Sequence, residues 1–557
     1  MGIQRNKFAI PQVPRSRGTK STVVIQPLFD FNYLVPQDGV PWGRWPQMNN
    51  MLVKDGLLQP RSCLSRFDIP EGPGGGSRNL LNSDVPLYEF TARSRTGPEV
   101  LFMVSAGTLI QFTVESGSSW TRVTGPAFDS ITTKNLGLYQ GFYDHTELWV
   151  ESDSTKYAIL TQWLELPKKI PVVQTIPGQA SLISSFLSVS SYARFCKVHD
   201  ERLVFFAERA EGGQNREYRV RWSVRGSGLS FQEEGSGFQD LESMKGLASG
   251  LLTYGNELLL FTTEQIWRAT ARKDAYAFDF APLVENVGCI NPHTLELTPK
   301  GPIFLGSDLR HYILQENRAI PIGDRAGGNI HQYLGRTLRE PPLAFSVYNP
   351  DEKQYLFFHS NTTGRYPERA FVLDVDSVVP TEEGTLTGKW WLWSFPSQLA
   401  AGAVAARVPS VAMTTLWFPK STVVAQSDGR AEAFLSSQTN DDGTQPEFQL
   451  ETANIVVGKD TPYNVVKATE IFLSYWATNV ANSTSTVSVY AGAPGSTQVE
   501  VGSVGLSGQA GDDAFIPISM RAERIPQLAF YFHPVLGGEP KIGKIQLTLR
   551  AYSGKMD

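Results

Sequence analysis

Cysteine is scarce in this sequence. Cys63, Cys196 and Cys289 are the only three in 557 residues, and they lie far apart without a CxxC spacing or a Cys/His cluster. We therefore expect neither a disulfide framework nor a structural zinc site, and we expect synthesis in a reducing compartment. The sequence also lacks a run of about 18 consecutive apolar residues and an apolar signal region, so we expect no membrane span and no export by the usual route.

An excess of charge of one sign is lacking too. Fifty Lys and Arg residues oppose 55 Asp and Glu residues, which gives a net charge of −5, and charged residues make up 19% of the chain. A protein that binds nucleic acid through its phosphates normally carries a basic excess, so this class is not expected. Hydrophobic residues make up 41% of the sequence, which is enough for a sizeable core.

Several motifs that carry chemistry are missing. The sequence has no GxxxxGK[ST] phosphate loop, no GxSxG nucleophile elbow, no HxH or HExxH metal spacing and no EF-hand loop. We therefore predict no catalytic residue, no cofactor site and no metal site, and we do not expect an enzyme. We interpret the histidines as turn or surface residues; they are His145, His199, His293, His311, His331, His359 and His533.

Internal repetition is the most informative feature. A turn residue, usually followed by Glu, precedes an apolar run and then a second run, at intervals of 45–56 residues. The apolar runs start at Glu99, Glu147, Glu201, Glu257, Pro302 and Glu352. This period predicts an all-β protein whose central part is a β-propeller of about six blades, whereas a string of β-sandwiches would not sustain it. The repeated glutamates occupy equivalent positions, so we expect them to serve blade geometry rather than catalysis.

The flanking regions differ from the repeats. Residues 1–85 are rich in proline and predict an extended arm with the first strands, and residues 86–440 hold the predicted propeller. A strand pair at 422–435 could close the ring or complete one blade. A polar linker at 440–447 is followed by residues 447–557, whose alternation predicts an antiparallel β-sandwich. The best short helix candidate is Ile330–Leu338.

Two aromatic clusters stand out. Trp390, Trp391 and Trp393 lie in one strand and are expected to pack between blades. The arm has no core of its own, so it must bury its large apolar residues against a partner surface, or alternatively use its tryptophans to recognise a sugar. The residues that we predict at a subunit interface are Trp42, Trp45, Met48, Met51 and Arg61.

The segment MNNMLVKDGLLQPRSCLSRF (48–67) resembles the opening of tail nozzle and tail-tube proteins of short-tailed bacteriophages, including the packaged-DNA stabilisation proteins. Asn50, Asp55, Gly56 and Arg61 match the family's pattern, although Arg61 is followed by Ser62 where the family usually has Gly. The segments 284–314 and 319–334 are similar to the family's most recognisable blade. YNPDEKQYLFF followed by KWWLWSF is similar to another of its blades.

The resemblance implies a virion tail protein that assembles in the host cytoplasm. Nozzle proteins of this kind form a homo-oligomeric ring of six below the portal and adaptor, next to tail fibres or spikes. The ring retains packaged DNA and forms the channel for its ejection, without sequence-specific binding. Mild acidity suits this role, because a basic lumen would hold DNA through its phosphates and slow ejection.

Two other functions stay open. A carbohydrate-binding or glycan-hydrolysing propeller of a receptor-binding tail component would require a unique carboxylate pair in the central cavity. A cellular scaffold that binds peptides is the third possibility, but its WD and kelch signatures are missing.

Overall fold

The computed structural model describes residues 20–25, 47–54, 57–61, 63–66, 86–93, 99–105, 108–113, 119–123, 143–151, 154–163, 165–172, 179–187, 192–209, 214–272, 277–324, 330–338, 344–360, 367–382, 384–395, 404–406, 415–419, 431–435, 448–451, 464–476, 485–492, 499–506, 513–522, 527–533 and 541–553. Most of these residues lie in β-strands and few lie in helices, so the protein is all-β, as the sequence predicts. Within them, no helix is both long enough and apolar enough to cross a membrane.

The strands are numbered in chain order. The first half of the chain contains β1 Lys20–Ile25, β2 Gln47–Asn49, β3 Met51–Lys54, β4 Leu57–Pro60, β5 Cys63–Arg66, β6 Pro86–Arg93, β7 Glu99–Ser105, β8 Thr108–Thr113, β9 Ser119–Arg122, β10 Tyr143–Val150, β11 Thr155–Gln162, β12 Glu165–Pro171, β13 Ser181–Leu182, β14 Tyr192–His199, β15 Arg202–Arg209, β16 Asn215–Trp222, β17 Gly237–Asp240, β18 Ala248–Tyr254, β19 Glu257–Thr262, β20 Ile266–Ala271 and β21 Phe278–Val284. The second half contains β22 Glu296–Thr298, β23 Gly301–Leu305, β24 His311–Gln315, β25 Arg318–Asp324, β26 Phe345–Asn349, β27 Gln354–His359, β28 Arg369–Pro380, β29 Leu386–Ser394, β30 Val404–Ala406, β31 Thr415–Pro419, β32 Ala431–Leu435, β33 Phe448–Glu451, β34 Asn464–Trp476, β35 Ser485–Gly492, β36 Val499–Leu506, β37 Asp513–Ala522, β38 Gln527–His533 and β39 Lys541–Ser553.

Strands β5 to β32 pair in antiparallel units of four strands each. Consecutive strands form the units that begin at β6, β10, β14, β18, β22 and β26. A further unit consists of β30, β31 and β32, and its fourth strand is β5 from the N-terminal part of the chain. The predicted pair at 422–435 thus contributes β32 to this last unit, while the rest of that pair lies outside the described residues.

The first strands of the units contact one another in sequence. β6 contacts β10, β10 contacts β14, and β14 contacts β18. β18 contacts the 3-10 turn Pro292–Thr294 that precedes β22, β22 contacts β26, and β26 contacts β30. β30 in turn contacts β6, so the series returns to its start. This is a β-propeller-like arrangement, in which the units surround a common centre and the pairing of β5 with β32 joins the two ends of the series.

Burial explains why the repeated apolar runs are so conspicuous in the sequence. Five of the six predicted runs fall on the second strand of a unit, namely β7, β15, β19, β23 and β27, whereas Glu147 lies in the first strand β10. Every residue of β23 and of β27 is buried. A strand that is covered on both faces needs apolar side chains at consecutive positions rather than at alternate ones. The outer strand β17, in contrast, is mostly exposed.

The remaining strands form two further sets outside the units. β39 pairs with β34, β4 and β1, and β34 pairs with β37. β33 pairs with β38, which pairs with β35, and β35 pairs with β36. Strand β2 lies between β33 and β29, so it connects the second set to a unit of the propeller-like part. The described part of the predicted N-terminal arm therefore consists of short strands that pair with distant segments of the same chain.

Helices are few and short among the described residues. Helix α1 spans Ser184–Leu187, and helix α2 spans Ile330–Thr337, which confirms the helix predicted there. In and just after α2, Ile330, Tyr333, Leu334 and Leu338 are buried in the main core cluster. Their spacing of three and four residues places them on one face of the helix.

Candidate functional site

A cavity of about 420 Å³ lies where the first strands of the units meet. Its walls come from β6, β10, β14, β18, β22 and β26 and from the short 3-10 turn Pro292–Thr294 before β22. The polar residues that matter for its chemistry are Asp144, His145, Lys197, His293, Glu296 and Tyr348. These residues come from four different units, so only the closed arrangement brings them together.

An ion pair joins two of the first strands at the cavity wall. Lys197 Nζ in β14 donates to Asp144 Oδ1 in β10 at 2.6 Å and to the His145 carbonyl oxygen at 2.8 Å. Asp144 also accepts from two backbone N–H groups, that of His145 at 2.9 Å and that of Cys196 at 3.0 Å. The first strand of each unit has no partner strand on one side, so backbone N–H groups along that edge need other acceptors. The Asp144 carboxylate is such an acceptor.

Glu296 lies across the cavity wall in β22. Its side chain is partly exposed to the cavity. The protein that surrounds the carboxyl group nevertheless removes much of its contact with water, and this burial raises the pKa of Glu296 to about 8. A hydrogen bond from the Tyr348 backbone and the positive charge of Lys197 oppose this rise in pKa without cancelling it. The carboxyl group is therefore mostly protonated at neutral pH and can donate a hydrogen bond as well as accept one.

Two imidazoles complete the polar wall, and both are neutral. Burial and the nearby charge of Lys197 lower the pKa of His145 to about 3, and its Nδ1 lies 2.8 Å from the Tyr88 hydroxyl oxygen. Burial also lowers the pKa of His293, whose Nε2 donates to the Tyr143 carbonyl oxygen at 3.1 Å. The Tyr88 ring stacks on the His293 ring with 5.3 Å between centroids, so the imidazoles are held by both polar and aromatic contacts.

The cavity thus combines an internally neutralised ion pair, an uncharged carboxylic acid and aromatic side chains. In the part of the chain that the structure describes, no group of three or more His, Cys, Asp or Glu side chains is placed to hold a metal ion. Cys196 and Cys289 are buried thiols, and burial raises the pKa of Cys289 to about 12. Such thiols are poor nucleophiles, because the thiolate is the reactive form.

The structure corrects the interpretation of the histidines as turn or surface residues. His199, His311 and His359 are buried, and His145 and His293 line the cavity. His311 packs against the rings of Phe357 and Trp390 with centroids 4.7 and 5.1 Å away. The sequence did not reveal the burial of these histidines, because they stand beside turns. In the structure, the strands that follow such turns lead into the centre of the units.

The repeated glutamates lie elsewhere. None of them lines the cavity, and several form ion pairs with neighbouring basic residues. Glu147 pairs with Lys156, Glu257 pairs with Arg268 at 3.3 Å, and Glu352 pairs with Lys54 at 2.6 Å. These contacts agree with a role in the geometry of the units.

Sequence reasoning singled out neither Asp144 nor Glu296. A usable signal was present, since both residues stand in strands that face the centre, where a charge is costly unless it is paired or neutralised. To use that signal, one must know which strand is the first of each unit. The repeat pattern did not show this, because most of its apolar runs are second strands.

The residues predicted at a subunit interface lie only in part within the described residues. Trp42 and Trp45 lie outside the described residues, and Met48 is in β2, paired with Leu450 of β33. Met51 and Arg61 are 0% and 1% exposed within the single chain. The side chains of Met51 and Arg61 are thus buried within the single chain, and the predicted interface between copies stays a prediction.

No family model and no curated protein matches the sequence. Among solved structures, the chain is similar to a family 43 arabinoxylan arabinofuranohydrolase from Bacillus subtilis, with 10% identity, a TM-score of 0.26 and coverage of 85% of this chain and 98% of that chain. It is also similar to an exo-β-1,3-galactanase from Phanerochaete chrysosporium, with 10% identity, a TM-score of 0.25 and coverage of 88% and 100%. A third similarity is to a chain of a humanized mutant Polycomb Repressive Complex 2 from Chaetomium thermophilum, with 8% identity, a TM-score of 0.37 and coverage of 68% and 97%.

One expectation from the sequence is corrected by these similarities. The chain was not expected to be an enzyme, and this is contradicted because two of the similar structures are glycoside hydrolases. We therefore withdraw that expectation. At TM-scores of 0.26 and 0.25, however, neither hydrolase activity is transferred to this chain.

Proposed function

We propose that this chain is a structural component of a short-tailed bacteriophage tail, namely a nozzle that forms a ring of six below the portal and adaptor. In this role it holds the packaged DNA and forms the channel through which the DNA leaves. We also propose that its central part is a β-propeller of seven blades, closed by β5, and that its C-terminal part is a β-sandwich. The pairing of β5 with β32 and the two sets of strands around β39 and β38 support this architecture.

The observation that carries the proposal concerns the motif shared with the nozzle family. Arg61 is 1% exposed, and its Nε donates to Asn50 Oδ1 at 2.9 Å while its Nη2 donates to the Ser394 carbonyl oxygen at 2.9 Å. Its guanidinium carbon lies 4.6 Å from the centre of the Phe395 ring. The two matched residues Asn50 and Arg61 are therefore partners in one buried contact at the end of β29.

Asn50 explains why the motif needs this residue type. Its φ is +58°, in the left-handed region that Asn tolerates better than most residues, and it sits between β2 and β3 where the chain changes direction. Its side chain accepts from the Ser394 backbone N–H at 2.8 Å, and its backbone N–H donates to the Leu392 carbonyl oxygen at 3.0 Å. The motif thus holds the N-terminal hairpin of β3 and β4 to the propeller-like part. The other two matched residues, Asp55 and Gly56, lie outside the described residues.

The experiment that tests the proposal is electron microscopy of the purified full-length chain, alone and mixed with the portal and adaptor complex of its own virus. We expect six-fold rings attached to that complex. The double variant Trp42→Ala/Trp45→Ala should weaken the ring, and Phe238→Ala is the matched control because Phe238 is a large side chain that is 50% exposed outside the arm. Monomers alone, in the presence of the portal and adaptor complex, would overturn the proposal.

A further inference from the structure

We propose that the cavity bordered by Asp144, Lys197 and Glu296 is a binding site for a neutral saccharide. This inference does not depend on the nozzle function, since it rests on the cavity and its lining residues. Failure to form rings and failure to bind saccharides are separate measurements, so each proposal can fail without the other.

The size of the cavity is appropriate for a small ligand. Its volume of about 420 Å³ falls within the range of roughly 300–1,000 Å³ that is typical of small-molecule sites. It is formed by the edges of several units rather than by one flexible loop, and each of the six strands around it is paired with a neighbouring strand of its unit. A site built on strands in this way is largely formed before a ligand arrives.

The polar groups offer both donors and acceptors to hydroxyl groups. Lys197 has three N–H donors, and two of them are used by Asp144 and by the His145 carbonyl oxygen, which leaves the third for a ligand. The Asp144 carboxylate can accept at further lone pairs beyond its bonds to Lys197, His145 and Cys196. Glu296 in its protonated form adds a donor on another wall.

The electrostatics favour an uncharged ligand. Asp144 and Lys197 neutralise each other at 2.6 Å, and Glu296, His145 and His293 are uncharged at neutral pH. An ionic ligand would lose its hydration on entering without finding an unpaired opposite charge, and that desolvation is costly. A hydroxyl-rich neutral molecule can replace its bonds to water with bonds to the cavity wall.

Apolar surface is present beside these groups. Tyr88 and Tyr348 are partly exposed at the cavity wall, and Leu251, Leu252 and Phe345 line it as well. A pyranose has one polar rim and two faces with apolar C–H groups, so it suits a site that places aromatic and aliphatic side chains next to hydrogen-bonding groups. Few other small neutral molecules present so many hydroxyls together with apolar faces.

The test is binding of the purified full-length chain to an array that carries neutral oligosaccharides together with sialylated and sulfated ones, followed by calorimetry with the strongest neutral sugar. We expect binding to neutral sugars at pH 7. Glu296→Gln should stay within about threefold of the wild-type Kd, since the amide is uncharged and still donates, whereas Glu296→Ala should weaken binding at least about tenfold, which corresponds to the ~1.4 kcal/mol expected for one lost hydrogen bond.

Glu242→Gln is the control for the amide substitution, because Glu242 is exposed and lies outside the cavity. Circular dichroism and the thermal transition should match the wild type in each variant that is used. Binding restricted to charged sugars, no binding to any sugar by the folded protein, or equal binding by Glu296→Ala and wild type would each overturn the proposal.

Discussion

Arg61 and Glu296 are both ionisable residues inside this protein, but their surroundings differ. Arg61 is 1% exposed and is enclosed by Asn50, Ser394 and Phe395. Glu296 borders a cavity, and its neighbours leave its acidic proton available. The comparison teaches that buried polar groups can do two different things. Where all their hydrogen bonds are made within the protein, they hold segments of the chain together, and where some are left unmade beside a cavity, they can bind a ligand.

The largest effect is expected from breaking the closed network. Arg61→Ala removes the donors to Asn50 Oδ1 and to the Ser394 carbonyl oxygen, so both acceptors lose a partner inside the protein. We expect the free energy of unfolding to fall by about 3 kcal/mol, in line with the loss of buried hydrogen bonds to a charged group. Urea denaturation measures this change. Arg225→Ala, at a side chain that is 50% exposed, is the control and should change stability by about 0.5 kcal/mol or less. Equal losses in the two variants would contradict the assignment.

A smaller effect is expected from the open site, and it depends on pH. The folded pKa of Glu296 is raised from its ordinary 4.5 to about 8, so the folded state keeps a proton that the unfolded state has already lost. Stability therefore falls as the pH rises from about 4.5 to 8 and levels off above it. Because Glu296 is partly exposed at the cavity, solvent screening reduces the effect, and we expect it to be about 2 kcal/mol or less.

The measurement is the difference in unfolding free energy between wild type and Glu296→Gln from pH 5 to pH 9. The comparison with Gln is needed because other ionisable groups line the same cavity: Asp144 and His145 on β10, Lys197 on β14, and Tyr88 on β6. His145 has a lowered pKa of about 3 and works in the opposite direction, since it makes the fold less stable as the pH falls below 6.5. If the unfolding free energies of wild type and Glu296→Gln change in parallel with pH, Glu296 is not protonated in the folded protein.

The smallest effect is expected at the surface. Lys54 and Glu352 form an ion pair at 2.6 Å, but their side chains are 46% and 32% exposed. Water already solvates both charges, so Glu352→Gln should cost about 0–1 kcal/mol. Thermal unfolding at low and high salt is the measurement, and the small difference should shrink further at high salt. A loss of stability as large as that of Arg61→Ala would contradict the expected difference between enclosed and exposed charges.

Part of this fold could be predicted from the sequence. The apolar runs at Glu99, Glu257 and Pro302 correspond to β7, β19 and β23, because a strand covered on both faces shows its burial in consecutive side chains. Helix α2 falls at the best short helix candidate in the sequence, and the residues buried in and just after it recur at helical spacing. The first strands were harder to find, because their residues are less buried: in β10 only Tyr143, Leu148 and Val150 are buried, and Asp144 and His145 are among the five that are partly buried.

The candidate site could not be predicted in the same way. His293 contacts Tyr143 across 150 residues of chain, and Asp144 contacts Cys196 across 52. No local pattern encodes such contacts, because each depends on how several units close around one centre. The role of β5 was missed for a related reason, as a four-residue strand in a proline-rich segment gives a weak signal until its partner β32 is known.

The amino-acid sequence by itself determined that the chain is nearly all β, with apolar strands repeated at a period near 50 residues, because the alternation and length of apolar runs act locally on each segment. Only the tertiary structure decided which polar side chains meet in the cavity and which charges are neutralised there. The physical reason is that a pKa and a hydrogen bond depend on the neighbours in space, and the neighbours of Glu296 come from distant units.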